Sequence, residues 1–362
     1  MVTSRDAEFM ARALFLAERG VGRTAPNPIV GAVIVTPDGV VVGQGAHVMA
    51  GGPHAEIVAL GVAGDRARGS TLYCTLEPCA HTGRTGPCVE RIAAAGVSRV
   101  VSATRDPNPR VQGRGVAFLR EHGIEVVEGV GHSEAARQNA PFFSWIGRHR
   151  PHVTVKAAVS RDGFVGRPAE RVQLTGPEAN RHLHRQRAAM DAIAVGSGTV
   201  LADDPLLTAR LAFRAKPLIR VIFDGQMRVP PSARVFSTLA AGPVIIVVSS
   251  SAATARRADV GRLEAQGAVV ELSESRDLTP VLVRLAGRDV MSLLVEGGPH
   301  LNAAFFSQGL VDRVQRVTTP RVLDHGVAAA PGIEAAFAGT AGVRRISLGE
   351  DELWEVDVHR TD

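Results

Sequence analysis

The sequence predicts two α/β domains in tandem, each built of helices packed on a sheet. Three observations carry this reading. At 362 residues the chain is long for one core and fits two domains at a prior of about 150 residues each. Segments of helical and of strand periodicity alternate through both halves, the pattern of helices laid on a mixed or parallel sheet. Between the halves, "GRHRPHVTV" (147–155) is basic and then turns β-rich, which sets the domains at 1–147 and 148–362.

In the first half, Ser4 is placed to cap a helix whose apolar positions Met10, Ala13, Leu14 and Ala17 share one face, with Gly20 as its stop. "IVGAVIV" (29–35) and "VVVGQGAHV" (40–48), joined by "TPDG", read as a hairpin. A helix follows from His54 to Gly64, then a strand (70–75), a helix (88–95), a strand (97–103), a helix (115–122) and a strand (124–128). The second half repeats the alternation. Strands are expected at 152–159, 191–195, 218–223, 243–248, 268–272 and 291–295, and helices at 176–188, 252–266, 277–286 and 299–308. A mainly parallel sheet follows from that order.

Bulk properties narrow the function. The N-terminus "MVTSRDAEFM" lacks the apolar core of a signal peptide, and the most apolar run, "PVIIVVSS" from Pro243, is too short to span a bilayer. Three cysteines cannot staple a chain of this size, so the cytoplasm is the expected compartment and no membrane partner is expected. The net charge of +5 lies mostly in the second half, with 27 basic and 23 acidic side chains there against 14 and 13 before it. That excess is either a solvated surface or a site for an anionic ligand such as a phosphate ester or dinucleotide. With 4% aromatics and no basic run of five, nucleic acid is not expected as a partner.

All three cysteines fall in "CTLEPCAHTGRTGPC" (74–88). Thiolates bind zinc, and a catalytic zinc needs three protein ligands and an open position for water. Cys79 and Cys88 supply two ligands; His54 in "GGPHAEIVAL" supplies the third. Glu56 follows two residues on, and His-x-Glu followed by Pro-Cys is the signature of zinc nucleobase deaminases, in which the glutamate moves protons and does not bind metal. Cys74 sits within a strand pattern and reads as a small buried hydrophobe. The cysteines are separated by eight residues, and the insert "AHTGRTGP" suits a loop that closes on an anion.

In the second half, "VEGGPHLNAAF" (295–305) is a strand, two glycines and a helix start, a fair phosphate cradle. "GSGTVLADDP" (196–205) reads as a small-residue loop after a strand, allowing close approach by a cofactor or forming an ordinary turn. No G-x-G-x-x-G dinucleotide fingerprint is present.

"TAPNPIVGAVIV" (24–35), "GGPHAE", "TLEPCAHTGRTGPC" and "DPNPRVQGRG" (106–115) together resemble the deaminase domain of the bifunctional riboflavin-biosynthesis deaminase–reductase family. "VTVKAAVSRDGFVG" (153–166), "RAAMDAIAVGSGTVLADDPLLTAR" (187–210) and "LLVEGGPHLNAAFFSQGLVD" (293–312) resemble its reductase domain. The resemblance implies a cytidine-deaminase-like α/β/α sandwich followed by a dihydrofolate-reductase-like α/β domain. It implies zinc-dependent deamination of a phosphoribosylated diaminopyrimidinone, then NADPH-dependent reduction of its ribosyl chain to ribityl. Asn27 and His81 would contact the pyrimidine substrate. Ala158, Thr199, Asp203, Gly298, Pro299, His300, Leu301 and Asn302 would contact NADPH. Arg187, Leu207, Arg210 and Glu296 would hold the ribose phosphate, with Lys156, one of two lysines in the chain, orienting it. A homo-oligomer is expected. One departure stands out. Where the family reads Ser-x-Trp-x-Thr, this chain has "RVQLT", placing Arg171 and Gln173 at the serine and tryptophan. Two rival readings remain: a deaminase whose second domain is inert and only builds the oligomer, and an RNA nucleobase deaminase.

Overall fold

The computed structural model describes residues 4–80, 86–109, 111–168, 170, 172–339 and 342–358. Two compact units divide the chain, Met1–His149 and Arg150–Asp362. No helix among the described residues is long and apolar enough to cross a membrane.

The first unit runs α1 (Ser4–Ala17), β1 (Gly31–Val35), β2 (Val41–Ala46), α2 (Ala55–Ala63), β3 (Thr71–Cys74), α3 (Cys88–Ala94), β4 (Arg99–Ser102), α4 (Arg114–Glu121), β5 (Glu125–Glu128), α5 (His132–Gln138) and α6 (Ala140–Arg148). Its sheet has the order β2-β1-β3-β4-β5, with β1 antiparallel to both neighbours and β3, β4 and β5 parallel. Alternation along the strands feeds two cores. Ile34, Leu72 and Val100 face Ala55, Ala59 and Ile92 of α2 and α3, while Val33, Tyr73 and Val101 face Met10, Ala13 and Ala135 of α1 and α5.

The placement of α2 depends on glycine. A Cβ on Gly43 would stand 2.3 Å from the Ala59 carbonyl oxygen, and one on Gly45 would stand 2.4 Å from that of Ala55. Side chains there would lift the helix off β2 and carry His54 and Glu56 with it. Ser4 is the first helical residue among those described. The last two helices of this unit, from His132 to Arg148, were not expected from the sequence; each is under ten residues long and Asn139 separates them.

The second unit runs β6 (His152–Val159), β7 (Phe164–Gly166), α7 (Pro177–Ala189), β8 (Ala192–Gly196), α8 (Ser197–Asp203), β9 (Ile219–Phe223), β10 (Val244–Ser249), α9 (Ser250–Ala255), α10 (Arg257–Ala265), β11 (Ala268–Ser273), α11 (Thr279–Ala286), β12 (Ser292–Val295), α12 (Pro299–Ser307), β13 (Arg313–Thr318), β14 (Val327–Ala328), α13 (Pro331–Ala335), β15 (Arg344–Leu348) and β16 (Asp351–Asp357). The large sheet has the order β11-β10-β9-β8-β12-β6-β13-β16-β15 and is parallel from β11 to β13, with β16 and β15 added antiparallel.

Two expectations for this unit need correction. The helix expected over 252–266 is two helices, broken at Arg256, whose φ of −122° is not helical. The segment from Gly196, read as a loop, carries the helix Ser197–Asp203. Its two small residues and the Asp-Pro that ends it masked a helix of about two turns.

Candidate active sites

In the first unit, three soft donors converge. His54 precedes α2 in extended conformation (φ −70°, ψ 157°), and Cys88 opens α3. Cys79 comes from the loop between β3 and α3. His54 Nδ1 lies 3.2 Å from Cys88 Sγ and 3.5 Å from Cys79 Sγ, and the three donor atoms all lie within 4.8 Å of one another. The Cys88 N–H donates to Cys79 Sγ at 3.4 Å. The Cys88 thiol's hydrogen bond, and after it His54, hold the Cys79 thiol down at about 4, against its burial. Cys88 is correspondingly pushed well up, by the bond it shares with Cys79 and by burial. Two sulfurs and an imidazole nitrogen thus converge on one point, a place a divalent cation fills with all three donors on one side. Two thiolates and one histidine fit zinc and leave its fourth position open.

Cys74 stands apart. It is fully buried in β3, its thiol is pushed well above the ordinary range by burial, and its Sγ lies 3.8 Å from the Val101 carbonyl oxygen. Glu56, in the first turn of α2, is 3% exposed, and burial raises its carboxyl, with His54 pulling the other way. A carboxyl lifted by an apolar wall is suited to carrying a proton near neutral pH.

Two residues not singled out from the sequence complete this site. His47 Nδ1 meets the Pro53 carbonyl at 3.0 Å, which can only accept, so Nδ1 carries the proton. Its Nε2 then accepts from Asn27 Nδ2 at 3.1 Å. That pair orients the Asn27 amide. Glu77 is 3% exposed and accepts from the backbone N–H groups of Gly113 (3.1 Å), Gly115 (3.0 Å), Val116 (3.3 Å) and Asp106 (3.4 Å). It caps α4 and ties the "DPNPRVQGRG" segment to the backbone just before Cys79. In the sequence it looked like part of the Pro-Cys signature and nothing more. His81 lies outside the described residues.

In the second unit, a cavity of about 1020 Å³ opens at the C-terminal ends of the parallel strands. Such an edge is where open α/β sheets bind ligands. Its lining includes Gly196, Ser197, Gly198, Thr199 and Asp203 after β8, Phe223 and Arg228 at β9, Ser249 at β10, and Gly298, Pro299, His300 and Leu301 at the start of α12. Thr199, Asp203 and the residues from Gly298 to Leu301 are therefore part of one cavity wall. Asn302 is not: it is 3% exposed, outside the lining, with a partnerless buried Oδ1. Ala158 is also outside the lining and packs against the cluster of Ala179, Leu183 and Val317. Val172 lines the cavity and Gln173 does not; the Gln173 amide reaches the Thr175 carbonyl at 3.5 Å. Arg171 lies outside the described residues.

Beyond β12 sits a charged cluster. Arg187 forks onto Glu296 at 2.8 and 2.7 Å and reaches the Thr208 carbonyl at 3.3 Å. Burial alone would raise Glu296, but Arg187, then Lys156 and His184, hold it down at about 2. Burial lowers Lys156, opposed by Glu296. Arg210 meets Thr208 Oγ1 at 3.3 Å, and Leu207, just before Thr208, is buried with a positive φ of 52°. Lys156, Arg187, Leu207, Arg210 and Glu296 are thus neighbours, although they span 141 positions of sequence. The fork of Arg187 is spent on Glu296, so its contribution to an anionic ligand is to balance Glu296. His184, buried on α7 beside them with an unpartnered Nδ1, was not anticipated.

Comparison with known proteins agrees with both halves. Residues 3–104 match the profile of the cytidine and deoxycytidylate deaminase zinc-binding region, and residues 151–333 match that of the RibD C-terminal domain. The riboflavin biosynthesis protein RibD of Aquifex aeolicus is 40% identical over 328 residues, covering 90% of each chain. That of Escherichia coli is 39% identical over 350 residues, covering 91% of this chain and 92% of its own. The crystal structure of a diaminohydroxyphosphoribosylaminopyrimidine deaminase/5-amino-6-(5-phosphoribosylamino)uracil reductase from Thermotoga maritima superimposes with a TM-score of 0.84 at 33% identity, covering 98% of both chains. Acinetobacter baumannii RibD gives 0.82 at 33% identity and the same coverage. With a cytidine-deaminase-like unit followed by a dihydrofolate-reductase-like one, this chain belongs to the RibD family, the bifunctional deaminase–reductases of riboflavin biosynthesis.

Proposed function

We propose that the first unit deaminates 2,5-diamino-6-(5-phosphoribosylamino)pyrimidin-4(3H)-one at its 2-amino carbon and that the second reduces the ribosyl chain of the product with NADPH. The convergence of His54 Nδ1, Cys79 Sγ and Cys88 Sγ within 4.8 Å, beside the buried Glu56, carries the reading. These three side chains hold zinc, which when bound supplies a water of pKa lowered towards ~7. Glu56 takes a proton from the attacking water and delivers it to the exocyclic nitrogen, so that ammonia leaves and a carbonyl remains. Asn27, held by His47, presents its free amide oxygen to the pyrimidine edge, and His81 holds the substrate from the neighbouring loop.

In the second unit, Thr199, Asp203 and the turn from Gly298 to Leu301 hold NADPH. NADPH supplies a hydride for C1′ of the ribosyl chain. Arg210 and Leu207 receive the ribose phosphate, Lys156 orients the sugar, and the Arg187–Glu296 pair fixes the floor beneath it. The enzyme works in the cytoplasm as a homo-oligomer, on a small phosphorylated pyrimidine.

Supplying the diaminopyrimidinone phosphate to the zinc-loaded protein without NADPH should give the phosphoribosylaminouracil and ammonia. Adding NADPH should give the ribityl compound with one NADPH consumed. Ammonia release without any NADPH consumption, in protein whose second unit is folded, would replace this proposal with a deaminase carrying an inert second unit.

A further inference from the structure

We infer that Arg214 is the residue that positions Arg210 for the phosphate end of the reductase substrate. The inference rests on the proposed reading of Arg210 as a phosphate contact and adds to it the group that holds that contact in place.

The last turn of a helix leaves carbonyl oxygens with no N–H partner inside the helix. In α7 those carbonyls converge on one side chain from outside it. Arg214 Nη1 donates to the carbonyls of Ala188 at 2.9 Å and Arg187 at 3.2 Å, and also to that of Met190, the residue that follows the helix. Its Nη2 donates to the Pro217 carbonyl at 3.0 Å. These acceptors are all carbonyl oxygens, so the guanidinium acts as a cationic cap on the C-terminal end of α7.

The loop that Arg214 ties down is the one that carries the anion contacts. It leaves α8 at Asp204, with a positive φ of 40°, and enters β9 at Ile219. The Thr208 carbonyl accepts from Arg187 Nη1 at 3.3 Å, and Arg214, further along the same loop, donates back to the Arg187 carbonyl. The two arginines form a reciprocal clasp: the side chain of Arg187 holds the backbone of the loop, and the side chain of Arg214 holds the backbone of Arg187. Arg210 stands between the two ties, in a turn where the Ala212 N–H meets the Ala209 carbonyl at 3.4 Å. Burial contributes little to holding this stretch, because Leu211 is 54% and Phe213 78% exposed. Its order therefore depends on the clasp. Without Arg214 the loop loses its hold on α7 on the far side of Arg210, and the Arg210 side chain has to be ordered when the ligand binds, at a cost to affinity.

Steady-state NADPH oxidation by the full chain on the phosphoribosylaminouracil tests this, with wild type, Arg210→Ala, Arg214→Ala and the double variant compared. Arg214→Ala should raise KM by about tenfold and keep kcat within about threefold, the scale of one hydrogen bond to a charged group lost from substrate binding. In the Arg210→Ala background the same change should move KM by less than about twofold, because the group it positions is gone. Arg214→Lys, which keeps the charge but not the fork, should give a smaller rise, and it carries the same cycle if the alanine variant does not fold. The inference is overturned if the folded alanine variant, or failing that the lysine variant, leaves KM unchanged, if kcat falls in place of the rise in KM, or if the effect persists undiminished without Arg210. An unchanged KM in Arg210→Ala itself would overturn the phosphate reading along with it.

Discussion

Replacing Arg187 by alanine should destabilise the second unit by about 3 kcal/mol at neutral pH. The pair it breaks is nearly buried, with the Arg187 and Glu296 side chains 18% and 10% exposed. Glu296 sits at about 2 in the fold against an ordinary 4.5. That depression, at about 1.4 kcal/mol per pH unit, corresponds to roughly 3 kcal/mol. It agrees with the ~3–5 kcal/mol lost when one partner of a buried pair is removed. Because the folded value is depressed, the wild type holds this stability in full above pH ~4.5 and loses it as pH falls towards 2. In Arg187→Ala the orphaned Glu296 keeps only Lys156 and His184 as opposing charges and its carboxyl rises. Acidification then protonates it, so the deficit relative to wild type should shrink between pH 7 and pH 4.

The two tryptophans make the measurement clean. In a Trp145→Phe background, Trp354 reports the second unit alone. Its thermal midpoint should drop by roughly 6–12 °C, at ~2–4 °C per kcal/mol for a unit of this size. The double change Arg187→Met with Glu296→Leu should restore most of the midpoint while abolishing NADPH oxidation. A drop below about 2 °C, or a deficit that does not change with pH, would refute the pairing as the source of the stability.

Two further outcomes follow from the first unit. Glu56→Gln keeps the shape of the side chain but cannot move a proton, so ammonia release should fall by at least ~10²-fold while zinc content by atomic emission and NADPH oxidation on the deaminated substrate stay normal. Cys88→Ser should lose zinc on dialysis and Cys74→Ser should keep about one equivalent; equal loss from both would remove Cys74 from its place as a buried bystander.

The metal site was legible because its chemistry forces rare residues into a fixed order. His54, Glu56, Cys79 and Cys88 fall within 35 positions, and few other uses need that set. Strands of the parallel sheet were legible from their apolar runs between glycine and proline. What stayed hidden depends on pairing across the fold. Arg187 and Glu296 enter the sequence reading only as separate substrate contacts and become a pair only in the fold, where the guanidinium forks onto the carboxylate. Glu77 acts on backbone N–H groups and His47 is anchored on a backbone carbonyl, and such groups carry no residue identity. The strands β13, β15 and β16 were missed because arginine and glutamate interrupt their alternation: Arg344 and Glu355 satisfy each other across β15 and β16, and Arg316 stacks on Trp354, 4.8 Å from the ring centre.

The close return of Cys88 to Cys79 bears on how such a catalyst diversifies. The Val89 N–H meets the Cys79 carbonyl at 3.3 Å and the Cys88 N–H meets the Cys79 sulfur, so the two ends of the eight-residue spacer are pinned to each other. The entropy of closing such a loop grows only with the logarithm of its length, about 0.6 kcal/mol per doubling. The spacer can therefore be lengthened, shortened or rewritten at almost no thermodynamic expense to the ligand geometry. Changes of sequence in that interval leave the ligand geometry fixed, which makes the interval between the two cysteines a natural splice point for inserting new sequence beside this chemistry.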